Sequence, residues 1–142
     1  MSDYKLRVSV KGLFFNDKNQ VLLVKCGKED APSKFWSAPG GGIEDSEEAI
    51  HAVERELTEE TGYYGTVDRL IFVQDIKFSW GARQVELFFR GKIDETKPPL
   101  PKSDHPYMFV SEDAFKELKF MPADLNPFEL TESIPFHSNI KG

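Results

Sequence analysis

The segment 45–61 constrains the fold of this chain more than any other. At about 100° per residue, Ala49, Ile50, Val53 and Leu57 fall on one stripe. The spacing predicts an amphipathic helix whose apolar face must be covered by a sheet or another helix. Asp45, with Glu48 three residues on, has the form of a capping box at the helix start, and Gly62 stands where a left-handed residue ends a helix. Glycines 40–42 come just before, where they end regular structure and let backbone groups approach a ligand. The flanking sequence is strand-like. Residues 7–15 and 20–25 around a turn at 16–19 predict a hairpin, followed by a loop at 27–33. Residues 64–77, 84–93 and 107–110 predict further strands, with a proline-rich loop at 94–106. Ser111 caps a short helix reaching Leu118, and 126–133 predicts a last helix. This order makes residues 1–142 a single α+β domain, a mixed sheet with helices packed on its faces.

The helix breaks two electrostatic rules. Glu56, Glu59 and Glu60 stand at i, i+3 and i+4, and like charges so spaced cost about 0.2–0.5 kcal/mol per pair. Glu59 and Glu60 also occupy the last turn, where the helix dipole disfavours anions by about 0.3–1 kcal/mol. The cluster abuts the apolar stripe, which places it at the edge of the core. A solvated acidic face and a cation site both accommodate these residues when the helix is read alone. If an ion binds, an all-carboxylate set beside glycine carbonyls suits a hard cation, Mg2+ or Mn2+.

Composition excludes several classes. The 142 residues carry a net charge of −6, which repels polynucleotides and anionic membranes at long range, so neither a large nucleic acid nor a membrane is an expected partner. A phosphorylated ligand would need a cation or a local basic patch. Cys26 is the one cysteine; it permits no internal disulfide and reads as a small buried thiol. No apolar run approaches the roughly 20 residues of a membrane span, and residues 1–5 show no apolar signal segment, so the expected location is the cytoplasm.

The register around the helix is more specific than the helix itself. Gly41 is followed after five residues by Glu47, then after seven by Arg55-Glu56-Leu57-Thr58-Glu59-Glu60-Thr61-Gly62-Tyr63. This resembles the signature box of the Nudix hydrolases, G-x5-E-x7-R-E-U-x-E-E-x-G-U, with U a bulky aliphatic. All eight defined residues before the last position match; Tyr63 stands where an aliphatic is usual, a packing position. Trp36-Ser37-Ala38-Pro39-Gly40-Gly41 and the strand at 84–93 extend the resemblance over most of the chain.

The resemblance implies an α/β/α sandwich with a mixed sheet and a loop–helix–loop motif. It implies hydrolysis of a nucleoside diphosphate linked to another moiety, with Mg2+ or Mn2+ as cofactor. By it, Glu56, Glu59 and Glu60 ligate metal together with the Gly40 carbonyl. Arg55 orients the glutamates, with a salt bridge to Glu59, and Glu47 supports the motif structurally. Family members take the general base from the box or from a later acidic loop; Glu56 or Glu59 is preferred here over Asp104 or His105.

Other residues carry two readings each. Lys25 and Arg7 are candidate phosphate contacts or solvated strand ends. Trp36 packs under the glycine loop or stacks a base. Phe78 and Trp80 stack a nucleobase or pack within their loop. Glu86 lines the cleft or occupies a surface strand position. His51 falls on the solvent side of the helix. The expected ligand is a small nucleotide, bound by a monomer or homodimer; the rival reading is a catalytically silent Nudix-like sensor of a nucleotide or sugar nucleotide.

Overall fold

A computed structural model describes residues 5–28, 31–79, 81–101 and 105–140. In chain order the elements are β1 (Leu6–Phe15), β2 (Val21–Lys28), β3 (Ala31–Ser37), β4 (Gly40–Gly42), α1 (Ala49–Thr61), β5 (Gly65–Lys77), β6 (Arg83–Ile93), β7 (Tyr107–Val110), α2 (Glu112–Phe115) and β8 (Lys119–Met121). The strands form one sheet in the order β5-β6-β1-β2-β3-β8, with β4 pairing β1 and β7 pairing β2. β1 runs parallel to β6 and β3 parallel to β8, while the other pairs are antiparallel, so the sheet is mixed.

Strand periodicity sends neighbouring side chains to opposite faces, and both faces are covered. Val10, Phe14, Leu22 and Phe89 pack against Ala49, Ala52, Val53 and Leu57 of α1. Leu13, Phe15, Leu23 and Phe88 pack on the other face with Phe115 of α2, Phe120 and Leu125. The helix stripe therefore buries against the sheet, and the α+β sandwich architecture holds. Among the described residues no helix is long and apolar enough to cross a membrane.

Several local expectations are corrected. The segment 27–33 is not a loop throughout: β2 reaches Lys28 and β3 begins at Ala31, the two pairing antiparallel, with a register shift between Lys25 and Gly27 and a left-handed Gly27 (φ 85°). Glycines 40–42 do not end regular structure but form β4, pairing Gly40 with Lys11 and Gly42 with Ser9. A Cβ on Gly40 would stand 2.0 Å from the Val10 carbonyl oxygen, so only glycine lets the two backbones meet there. Asp45 does not cap the helix. α1 starts at Ala49 behind Glu48, which makes no side-chain capping bond. Residues before it turn through Ser46 (φ 64°), because Glu47 accepts from the Glu44 N–H (3.1 Å) and holds Arg55 two turns on. Gly62 does close α1 in the left-handed region (φ 83°), donating to Thr58 O. α2 is shorter than expected, though Ser111 caps it by accepting from the Ala114 N–H. Residues 126–133 make only a turn, after which Ile134 donates to the Leu70 carbonyl (2.8 Å) and extends the edge at β5. β8 was not anticipated, since three residues carry no readable period.

Candidate active site

The last turns of α1 meet the glycine strand. Glu60 Oε2 accepts the Gly40 backbone N–H at 2.7 Å. A Cβ on Gly41 would lie 2.7 Å from Glu56 Oε1, so Gly41 leaves the space that the Glu56 carboxylate fills. The three carboxylates are graded in exposure: Glu60 14%, Glu56 16% and Glu59 52%. Burial pushes the Glu60 carboxyl up to about 7, with neighbouring Glu56 and Glu59 adding to the rise and the Gly40 N–H and Lys11 opposing it. Burial also raises Glu56, opposed by Arg55. Two largely shielded carboxyls have raised proton affinity, chiefly because burial disfavours their charged forms.

Arg55 supplies nearby positive charge. Its Nε and Nη2 donate to Glu47 Oε2 and Oε1 at 2.7 and 3.0 Å. Its Nη1 donates to Glu56 Oε1 at 3.2 Å and to Glu59 Oε2 at 3.0 Å. The guanidinium is held well above its ordinary proton affinity, first by the Glu47 bonds. Among the described residues, no three His, Cys, Asp or Glu side chains converge closely enough to hold a metal ion in this arrangement, because the guanidinium lies between Glu56 and Glu59. By donor chemistry and charge the set still fits a hard divalent cation: oxygen donors only, two of the carboxylates largely shielded from solvent, and a backbone N–H as the hydrogen-bond donor to Glu60.

β1 and β6 build a polar wall nearby. Glu86 is 7% exposed, which overturns its surface reading. It accepts from Gln74 Nε2 (2.6 Å), Gln84 Nε2 (2.8 Å) and Ser9 Oγ (3.5 Å). An ionised carboxylate only accepts, so both glutamine amides are oriented with their NH2 toward it. The register places Ser9 between Glu86 and Gly42. Arg7 reaches the same region, its Nη2 standing 3.2 Å from where a Gly42 Cβ would be. Lys25 lies over the Trp36 ring at 4.8 Å, and Trp36 packs half-buried against the core. His105 Nε2 approaches Glu60 Oε1 at 3.7 Å. Trp80 and Asp104 lie outside the described residues. His51 is exposed beside Glu48, as its helix position implies. Cys26 is half-buried rather than buried, and burial raises its thiol.

Sequence reasoning missed Lys11, Ser9, Gln74 and Gln84. Lys11 pairs with Gly40 across β1–β4, its stem passing 2.8 Å from a Gly40 Cβ position. Its charge lowers both Glu56 and Glu60. The one available signal was a lysine between Val10 and the apolar stretch Leu13-Phe14-Phe15 of β1.

A family profile described as NUDIX domain matches residues 5–136. Among curated relatives, the chain is 45% identical over 56 residues to an RNA pyrophosphohydrolase of Ruthia magnifica subsp. Calyptogena magnifica, covering 39% of this chain and 29% of that protein. It is 29% identical over 72 residues to an 8-oxo-dGTP diphosphatase of Buchnera aphidicola subsp. Schizaphis graminum (strain Sg), covering 51% of this chain and 52% of that protein. The matches thus span only about a third to a half of these relatives. In structure, the chain is similar to a MutT protein from Methanosarcina mazei Go1 with a TM-score of 0.68 at 22% identity, covering 87% and 89% of the two chains. It is also similar to a NUDIX hydrolase from Nitrosomonas europaea, with a TM-score of 0.67 at 24% identity over 80% and 78%. At such identities the structures establish a shared fold.

Proposed function

The chain belongs to the Nudix family, and from that premise we propose that it hydrolyses a phosphoanhydride bond in a nucleoside diphosphate linked to another moiety. A small nucleotide such as a nucleoside triphosphate is the proposed substrate, giving a nucleoside monophosphate and an X-phosphate product. The Gly40–Glu60 contact carries this reading, because it brings the carboxylate end of the box helix to a strand with no side chains. The relatives' names, diphosphatase and pyrophosphohydrolase, support the same bond type.

In this proposal Glu56, Glu59, Glu60 and the Gly40 carbonyl hold a divalent cation, Mg2+ or Mn2+. When bound, such an ion offsets charge on phosphate oxygens and makes a water more acidic. Arg55 keeps Glu56 and Glu59 in place, anchored by Glu47. Glu56 takes the proton of the attacking water at its carboxylate, whose proton affinity burial already raises. Arg7, Lys11 and Lys25 bind the phosphate chain, which the protein's overall negative charge would otherwise repel. Glu86, with its two oriented glutamines, lines the nucleoside side.

Release of phosphate or pyrophosphate is to be measured across a nucleotide panel with Mg2+ or Mn2+, for the wild type and Glu60→Gln. Turnover that needs the ion and is lost in the variant is the expected result. Turnover that survives both chelation and the substitution refutes the metal assignment. Tight nucleotide binding without turnover of any panel member replaces the enzyme by the sensor.

A further inference from the structure

We propose that Arg69 and Arg90 form a second anion site, remote from the glutamate cluster, that takes a phosphate group. The β5–β6 register sets Arg69 directly opposite Arg90. Like charges so placed destabilise a sheet. Among the described residues neither guanidinium has a carboxylate at ion-pair distance or a hydrogen-bond partner. The Arg69 Nε is buried without an acceptor, and leaving such a donor unmade is costly. The sheet therefore holds two cations together with one buried donor; among the described residues neither cation has an ion pair, and only the charge of Asp68 and the Phe15 ring offset Arg90.

The surroundings favour an oxyanion. The Arg90 guanidinium lies 4.0 Å from the Phe15 ring centroid, a contact that restrains its plane. Beside it is a cavity of about 260 Å³ lined by Phe15, Asn16, Asp17, Asn19, Arg90 and Lys92, with Gly91. Arg90 and Lys92 are its cations and Asp17 its one carboxylate. Asp68, next to Arg69 in sequence, acts on Arg90 through its charge without forming an ion pair. Burial and the charge of Arg69 both lower the proton affinity of Arg90, as expected where positive charge is in excess. Guanidinium forks match the oxygens of a phosphate better than any other side chain does. A phosphate dianion in this cavity, whose lining holds Arg90 and Lys92 but not Arg69, bonds Arg90 and offsets the charge of both arginines.

The site is separate from the glutamates. Gly41 pairs with Val10 and Arg90 with Leu13, so the two places stand three residues apart along β1, about 10 Å at strand rise. The proposal is independent of the hydrolase reading, and it covers free inorganic phosphate as well as a nucleotide's phosphate.

The test uses the full chain in EDTA, which removes any contribution of a metal–phosphate complex at the glutamates. Melting temperature and the arginine Nε–H resonances are followed with inorganic phosphate, pyrophosphate or a nucleoside 5′-monophosphate against chloride at matched ionic strength. The wild type is expected to gain several degrees and to shift the Arg69 Nε–H signal with at least one of these. Arg69→Gln and Arg90→Gln should lose both responses, and Arg69→Lys should bind at least ten-fold more weakly because it keeps the charge without the fork. An equal response to all three ligands identifies the phosphate group itself; a response to the monophosphate alone identifies the nucleotide as its source. Without ligand at low salt, Arg69→Gln should melt no lower than the wild type, since it relieves the repulsion; this checks its fold. No response of the wild type to any of the three, or an undiminished response in both glutamine variants, overturns the proposal.

Discussion

Arg55 meets Glu47 as a two-bond pair, Nε to Oε2 at 2.7 Å and Nη2 to Oε1 at 3.0 Å, which leaves Nη1 to hold Glu56 and Glu59. A lysine can make one such contact but not the fork. Arg55→Lys is therefore expected to lower kcat at least ten-fold with helix content unchanged, and Glu47→Gln to cause a smaller loss. Steady-state kinetics with circular dichroism checks both; an Arg55→Lys enzyme with wild-type kcat contradicts the positioning role.

Glu60 predicts an unusual pH dependence in metal-free protein. Its carboxyl is raised from 4.5 to about 7, so the native state holds a proton that the unfolded chain has released. Between those pH values unfolding free energy falls as pH rises, by at most about 3 kcal/mol. Denaturant unfolding in EDTA at pH 5 and pH 8 should show the fall, and Glu60→Gln should flatten it. Added Mg2+ or Mn2+ should restore stability at pH 8 in the wild type and not in the variant.

Gly41→Ala places a methyl 2.7 Å from Glu56 Oε1. Gly41 is not among the residues with positive φ, so the backbone tolerates alanine and the carboxylate must move. Activity is expected to fall at least ten-fold while the melting temperature changes by only a few degrees. A fully active alanine variant would show that the position of Glu56 is not critical.

Glu86→Ala removes the acceptor for two amides and one hydroxyl at a nearly inaccessible position. Stranding those donors costs about 1–3 kcal/mol, readable as a shift of the urea midpoint. Glu86→Gln keeps the shape but must turn one amide, so its stability cost should be smaller. Its KM for nucleotide should rise several-fold with kcat little changed.

What could be read without coordinates was whatever repeats or stands at fixed spacing along the chain. The stripe of α1 appears as Ala49, Val53 and Leu57 in the core, and the two-fold alternation of Leu13 and Phe14 sends them to opposite faces. Gly62 was legible because a left-handed helix end admits few other residues. The helix starts later than the local capping pattern predicts, because Glu47 is engaged by the Glu44 N–H and by Arg55 two turns away, and the latter contact leaves no local signal. The last predicted helix failed for the same kind of reason: the Leu70 carbonyl takes the Ile134 N–H and leaves the chain extended.

The sequence by itself determined the family, the helix α1 and the set of carboxylates on it, since these rest on residue type and local spacing. Only the tertiary structure decided which charges are buried and what meets them. Ser9, Gln74 and Gln84 converge on Glu86 from three strands, and Lys11 comes to Glu60 by pairing with Gly40. Arg69 and Arg90 lie 21 positions apart in the chain and become neighbours only through the β5–β6 register. Desolvation and Coulomb energy depend on distance in space, and strand pairing sets that distance without leaving a period to read.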